Sequence, residues 1–141
     1  MFERCLYFNI NALARAINQV WDEAFRPLGL SPAHAYLMRV VLNGPGIAQK
    51  NIAQELGLAP STVTRFVDTL VTRGLLERRQ GEGDNRESAV YPTRSGTALQ
   101  KDLEATGQAL FKQIRAKLGK DAVNHLVEEA RDMQGKLRGT E

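Results

Sequence analysis

The chain is predicted to be mainly α with one small β-hairpin, and three observations carry that reading. Apolar residues recur every three or four positions through most of its 141 residues, the mark of helices with one buried face. Only LLERR (75–79) and SAVYPT (88–93) read as strands. They flank QGEGDNRE, a polar loop with two glycines and no apolar residue. Glycine or proline then falls between successive segments, at Pro27, Gly29, Gly44-Pro45-Gly46, Gly57, Gly74 and Gly119.

Taken in order, the first helix follows Leu6, Ile10, Leu13, Ile17, Val20, Trp21 and Ala24, and ends near Phe25. Ser31-Pro32 supplies an N-cap hydroxyl and a first-turn proline for a second helix through AHAYLMRVVLN. A short third helix spans about residues 48–56, with Ile52, Ala53 and Leu56 inward and Gly57 as its C-terminal glycine. At 100° per residue, the next helix puts Val63, Phe66, Val67, Leu70 and Val71 on one arc. Ser61, Thr64, Arg65, Asp68, Thr69 and Thr72 fall on the opposite arc. After the hairpin, Thr93 is placed to cap a helix carrying Leu99, Leu103, Leu110, Ile114 and Leu118. Beyond Gly119, a last stripe holds Val123, Leu126, Val127, Ala130, Met133 and Leu137. Pro92 is tolerable near a strand end and poor in a central strand.

Helix, helix, helix, strand, strand over residues 32–93 is a winged helix-turn-helix. Its small core cannot also cover the stripes of the terminal helices. The expected organisation is therefore a dimerisation helix and connection (1–31), the winged DNA-binding domain (32–93) and dimerisation helices (94–141). The economical partner is a second copy, giving a two-fold homodimer. Two such reading helices suit a palindromic duplex with half-sites about one helical turn apart.

Hydrophobic content of 43% and charged content of 25% fit a folded soluble domain, so disorder is not the default. No apolar run approaches the roughly 20 residues that span a bilayer, and the first residues lack a secretory signal pattern. Cys5, the one cysteine, has no internal disulfide partner, which fits a reducing, cytoplasmic setting. The net charge of +3 is spread evenly along the chain, one excess positive charge in each third. A nucleic-acid surface must therefore come from arrangement rather than net charge.

The run GIAQKNIAQELGLAPSTVTRFVDTLVTRGLLERR, the loop GDNRES and the following TRSG together resemble the MarR family of bacterial transcription regulators. The likeness extends over nearly the whole chain and is most specific over residues 46–96, where Asp84-Asn85-Arg86 matches the family's Asp-x-Arg wing tip. The resemblance implies a homodimeric DNA-binding regulator, often a repressor released by a small molecule or an oxidant. Two positions depart from the pattern. Ala59 stands where a capping Asp or Ser is common, and Pro92 where leucine usually precedes the Thr-x-x-Gly element.

Ser61, Thr62, Thr64 and Arg65 occupy the first turns of the recognition helix, the part that reaches base edges. Arg65 is the candidate for base readout, because its fork pairs with guanine O6 and N7. The plain alternative is a solvated face with an ordinary Arg65–Asp68 spacing. Gln49 and Lys50 would meet the DNA backbone, and Arg73, Arg78 and Arg79 would grip phosphates. Arg86 at the wing tip suits a narrow minor groove, with Asp84 holding its side chain. Gly81-x-Gly83 lacks the strand–loop–helix context of a phosphate loop.

No catalytic constellation and no metal motif is present: His34 and His125 are far apart, with no HExxH or CxxC. The chain is expected to be no enzyme and to need no cofactor. From the family's effector sites, Arg15, Trp21, His34, Tyr36 and Arg39 are candidates for a small aromatic or anionic effector. Cys5 lies where one branch of the family places a peroxide-sensing thiol, but that branch's tyrosine partners are not matched. A peroxide-sensing repressor is thus one alternative, and a winged helix that binds only proteins is another.

Overall fold

The computed structural model describes residues 1–80 and 88–139. In chain order it holds α1 (Leu6–Phe25), a 3-10 turn (Arg26–Leu28), α2 (Pro32–Asn43), β1 (Ile47–Ala48), α3 (Gln49–Leu56) and α4 (Pro60–Thr72). There follow β2 (Leu76–Gln80), β3 (Ser88–Pro92), α5 (Arg94–Ala98), α6 (Gln100–Leu118) and α7 (Lys120–Leu137). The backbone forms two compact units, Met1–Thr106 and Gly107–Glu141.

The first unit has its core where the inward arcs of α2, α3 and α4 meet the sheet. Leu37, Met38, Val41, Ile52, Val63, Val67, Leu70, Leu76 and Val90 are all buried. Each large aliphatic side chain so buried contributes roughly 1.5–3 kcal/mol. The inward arc expected for α4 is thus the observed one, with Phe66 and Val71 at its half-buried margins. Ser31 caps α2 by accepting from the His34 amide, and Pro32 takes the first turn.

The sheet has three strands, ordered β1-β3-β2, where the sequence suggested two. β1 carries no periodic signal in the sequence, because two residues cannot display a period. Ile47 and Ala48 pair with Val90 and Ala89, so the third helix begins at Gln49. β2 pairs with β3 from Leu76↔Pro92 to Gln80↔Ser88. Pro92 therefore lies in the central strand, but at its end, beyond the reach of β1. There its missing N–H interrupts no ladder.

Thr93 and Gly96 fix the exit from the sheet. The Thr93 hydroxyl accepts from the Gly96 amide at 3.1 Å and donates to the Gly74 carbonyl at 2.6 Å. A side chain at Gly96 would overlap the Leu75 carbonyl, so α5 crosses the start of β2 at backbone contact. The helix expected through Leu99 is broken at that residue into α5 and α6.

The N-terminal part of α1 exposes much of its apolar stripe. Leu6 is 64% and Tyr7 68% exposed, with Phe8 and Ile10 about half exposed; towards its other end Phe25 is fully buried. The second unit is helical and also presents apolar side chains to solvent, among them Phe111, Leu118, Val127, Met133 and Leu137. Within it Arg115 stacks on Phe111 and donates to Asn124 Oδ1 at 3.2 Å, bracing α6 and α7. No helix among the described residues is long and apolar enough to cross a membrane.

Candidate nucleic-acid interface

α4 begins without a side-chain cap: Ala59 offers no acceptor, and Pro60 at the first turn removes one amide that would need one. From this start Ser61, Thr64, Arg65, Asp68, Thr69 and Thr72 are exposed, while Thr62 is half-buried. The hydroxyl and arginine face expected from the sequence is therefore a real outer face of the helix. Thr64 and Thr69 each return their hydroxyl proton to a carbonyl one turn back, on Pro60 and Arg65.

A polar chain then ties this face to two other elements. Gln49, the first residue of α3, donates through Nε2 to Thr64 Oγ1 at 3.1 Å. Its Oε1 accepts from Arg78 Nε of β2 at 2.6 Å. Arg78 also donates through Nη2 to the Thr64 carbonyl at 3.2 Å, and the same nitrogen lies 2.7 Å from Asp68 Oδ1. The Arg78 side chain is only 28% exposed, so its fork is turned into the protein. Charge-assisted bonds of this kind are stronger than neutral ones, and each fixes the direction of the next. Asp68, which the sequence placed at ordinary spacing from Arg65, is instead the partner of Arg78. The turn at Gly74 folds β2 back along α4, and the alternation of a strand puts Arg78 on the same side as buried Leu76.

The other predicted cations stand differently. Arg65 is exposed, with its guanidinium 5.7 Å from the Phe66 ring centroid. Arg79 lies over the Tyr91 ring at 4.0 Å and donates through Nε to Glu77 Oε1 at 2.9 Å, an exposed but oriented group. Arg73, the C-cap of α4, donates through Nη1 to the Gly29 carbonyl at 2.7 Å. Lys50 is exposed on the first turn of α3. Asp84 and Arg86 lie outside the described residues.

Of the effector candidates, the structure gathers three. Trp21 Nε1 donates to the Tyr36 hydroxyl at 3.1 Å, and the Arg39 guanidinium lies 5.5 Å from the Tyr36 ring centroid. Phe25 meets Tyr36 edge to face. His34 instead packs on Phe66, with ring centroids 4.6 Å apart, and Arg15 is an exposed residue of α1. Cys5 is the N-cap residue of α1, half-buried, with no side-chain capping bond. Among the described residues no group of three or more His, Cys, Asp or Glu side chains is placed to hold a metal ion.

Comparison with known proteins follows the same lines. A model of the MarR family matches residues 28–87. An uncharacterized HTH-type transcriptional regulator of Bacillus subtilis, YwoH, is 31% identical over 129 residues, spanning 87% of this chain and 91% of that protein. Among solved structures, the S. aureus MepR–DNA complex aligns with a TM-score of 0.83 at 16% identity, over 96% of this chain and 99% of that one. The transcriptional repressor CouR, bound to a 23-mer DNA duplex, aligns with a TM-score of 0.82 at 20% identity, over 94% of both chains. At those identities the two structures speak for the fold, a mainly helical winged helix with a small sheet.

Proposed function

This chain belongs to the MarR family, and from that premise we propose that it is a cytoplasmic, homodimeric repressor that binds a palindromic operator in duplex DNA. One observation carries the reading. The hydroxyl and arginine face of α4 is exposed, while its opposite face is buried and its flank is tied to the wing through Arg78. A helix so fixed presents Ser61, Thr62, Thr64 and Arg65 to base edges with its backbone already ordered. Arg79 and Lys50 lie beside it for phosphates, and Arg86, with Asp84, extends the contact from the wing tip. In this reading Arg78 acts mainly by holding the wing. MepR and CouR, which share the fold, are solved on DNA.

The homodimer rests on the apolar side chains left exposed on α1 and in the second unit, since patches of this kind mark association surfaces. A small aromatic or anionic effector acting beside Trp21, Tyr36 and Arg39 fits the cation and hydrogen-bonding aromatic pair found there. The test is fluorescence-anisotropy titration against duplex DNA from upstream of the protein's own gene, at several salt concentrations, with an unrelated duplex as control. Salt-steep binding that prefers the upstream fragment and weakens in Arg65→Ala is the expected result. Absence of binding to either duplex at low salt would overturn the reading and favour a protein-binding winged helix.

A further inference from the structure

The first turn of α2 holds a histidine that the DNA-binding reading leaves without a task. The His34 amide donates to Ser31 Oγ at 3.2 Å, and its ring Nδ1 lies 2.7 Å from the same oxygen. The ring packs on Phe66 of α4 with planes at 57°. Its other nitrogen, Nε2, is buried and has no hydrogen-bond partner among the described residues. In the neutral ring Nδ1 accepts the Ser31 hydroxyl proton, and Nε2–H is an uncharged donor left without an acceptor. In the imidazolium Nδ1–H turns to the remaining lone pair of Ser31 Oγ, and Nε2–H becomes a buried cationic donor with no acceptor, which costs far more than the uncharged one.

The groups around the ring oppose a second positive charge. On α2 the polar neighbour is Ser31, an uncharged hydroxyl. On α4 the charged group acting on the ring is Arg73, and the Arg65 guanidinium lies over Phe66. Burial first, and the Arg73 charge second, hold the His34 pKa below that of an ordinary histidine. Arg73 is itself fixed, through Nη1, to the carbonyl of Gly29 in the connection from α1. Gly29 has φ +68, and a Cβ there would stand 3.3 Å from Arg73 Nη2. The α1–α2 connection, the start of α2 and the C-terminal half of α4 thus meet at one small joint.

We propose that His34 is a proton-sensitive positioning residue for the recognition helix: neutral, it seats Phe66 and steadies α4, and protonated, it leaves that seat and loosens α4 on DNA. This deepens the DNA-binding reading and rests on it. The sign follows from linkage. A histidine whose native pKa is depressed contributes stability above its unfolded value, near 6.5, and that contribution is lost as pH falls through it towards the native value. The window is mildly acidic. A histidine acting merely as a charge near DNA has the opposite sign, since its protonation adds attraction for phosphates.

The test has two arms on the full chain, each run from about pH 8 to about pH 5.5, across the histidine range. Wild type is compared with His34→Gln, which keeps a polar side chain that does not titrate. In urea unfolding, wild type is expected to lose stability on acidification relative to the variant. In anisotropy with duplex DNA, wild type is expected to lose affinity about threefold or more relative to the variant, a modest coupling. Parallel curves in both arms, or affinity that rises in wild type relative to the variant, overturn the proposal. If neither protein binds any duplex at the upper pH, the DNA reading fails, and the unfolding arm alone decides on the histidine. Should His34→Gln not fold, ring NMR titration of wild type and Arg73→Gln replaces it, with the two histidines assigned by His125→Gln. A His34 titration point that does not move up in Arg73→Gln overturns the proposal.

Discussion

α4 is held by an arginine near each end, yet the two holds differ in partner and in strength. Towards its start, Arg78 enters from β2 and is met by Gln49, the Thr64 carbonyl and Asp68. At its other end, Arg73 leaves the helix itself and makes a single bond, in an exposed setting, to Gly29 of the α1–α2 connection. The first hold binds the reading helix to the wing as one body. The second joins that body to the segment following α1. The α1–α2 connection is therefore attached to α4 through the weaker of the two joints.

The comparison breaks most completely at Gly96. Gly96→Ala forces α5 away from the Leu75 carbonyl, where β2 begins, and so displaces Arg78 at its root. A loss of about 3 kcal/mol, at the upper end for overpacking, is expected in urea unfolding. Arg65→Ala sharpens the contrast from the other side. It touches neither hold, so stability stays within about 0.5 kcal/mol, while operator affinity falls by about 1–3 kcal/mol in anisotropy titration. Arg78→Ala should do the reverse in part. It leaves half-buried Gln49 and exposed Asp68 without their partner, costing about 1 kcal/mol of stability, and weakens binding to related and unrelated duplexes alike. Arg73→Gln is expected to cost less stability than Arg78→Ala, under about 1 kcal/mol, since its bond is exposed. Equal stability losses in Arg73→Gln and Arg78→Ala would erase the distinction between strong and weak joints.

Much of this was legible beforehand, and the reasons are particular. The period of α4 separated Val63, Val67 and Leu70 from Ser61, Thr64 and Arg65 because a helix repeats its facing every turn. The Ser31 cap and the stop at Gly119 followed from the chemistry of those residues at helix ends. β1 was not legible, since a two-residue strand exists only through its pairing with β3. Nor was the break at Leu99, where the backbone amide turns to the Gly96 carbonyl three residues back and α5 ends. Arg78 is the instructive case. Counted as a charge, it joined Arg73 and Arg79 as a phosphate grip; counted along the strand, it shares the side of Leu76. The alternation was present in LERRQ, but charge alone does not tell which way a side chain turns. The partner Asp68 was hidden for a different reason, because it is near Arg78 only after the chain reverses at Gly74.

The chain of bonds from Gln49 through Thr64 and Arg78 to Asp68 also limits how the helix can be rewritten for a new target. Ser61, Arg65 and Thr72 stand outside it and are open to a library of replacements. Thr64 and Asp68 face outward just as they do, but each carries a mechanical duty towards the wing. A redesign that treats all outward letters as interchangeable would alter the angle of the instrument along with the text it reads.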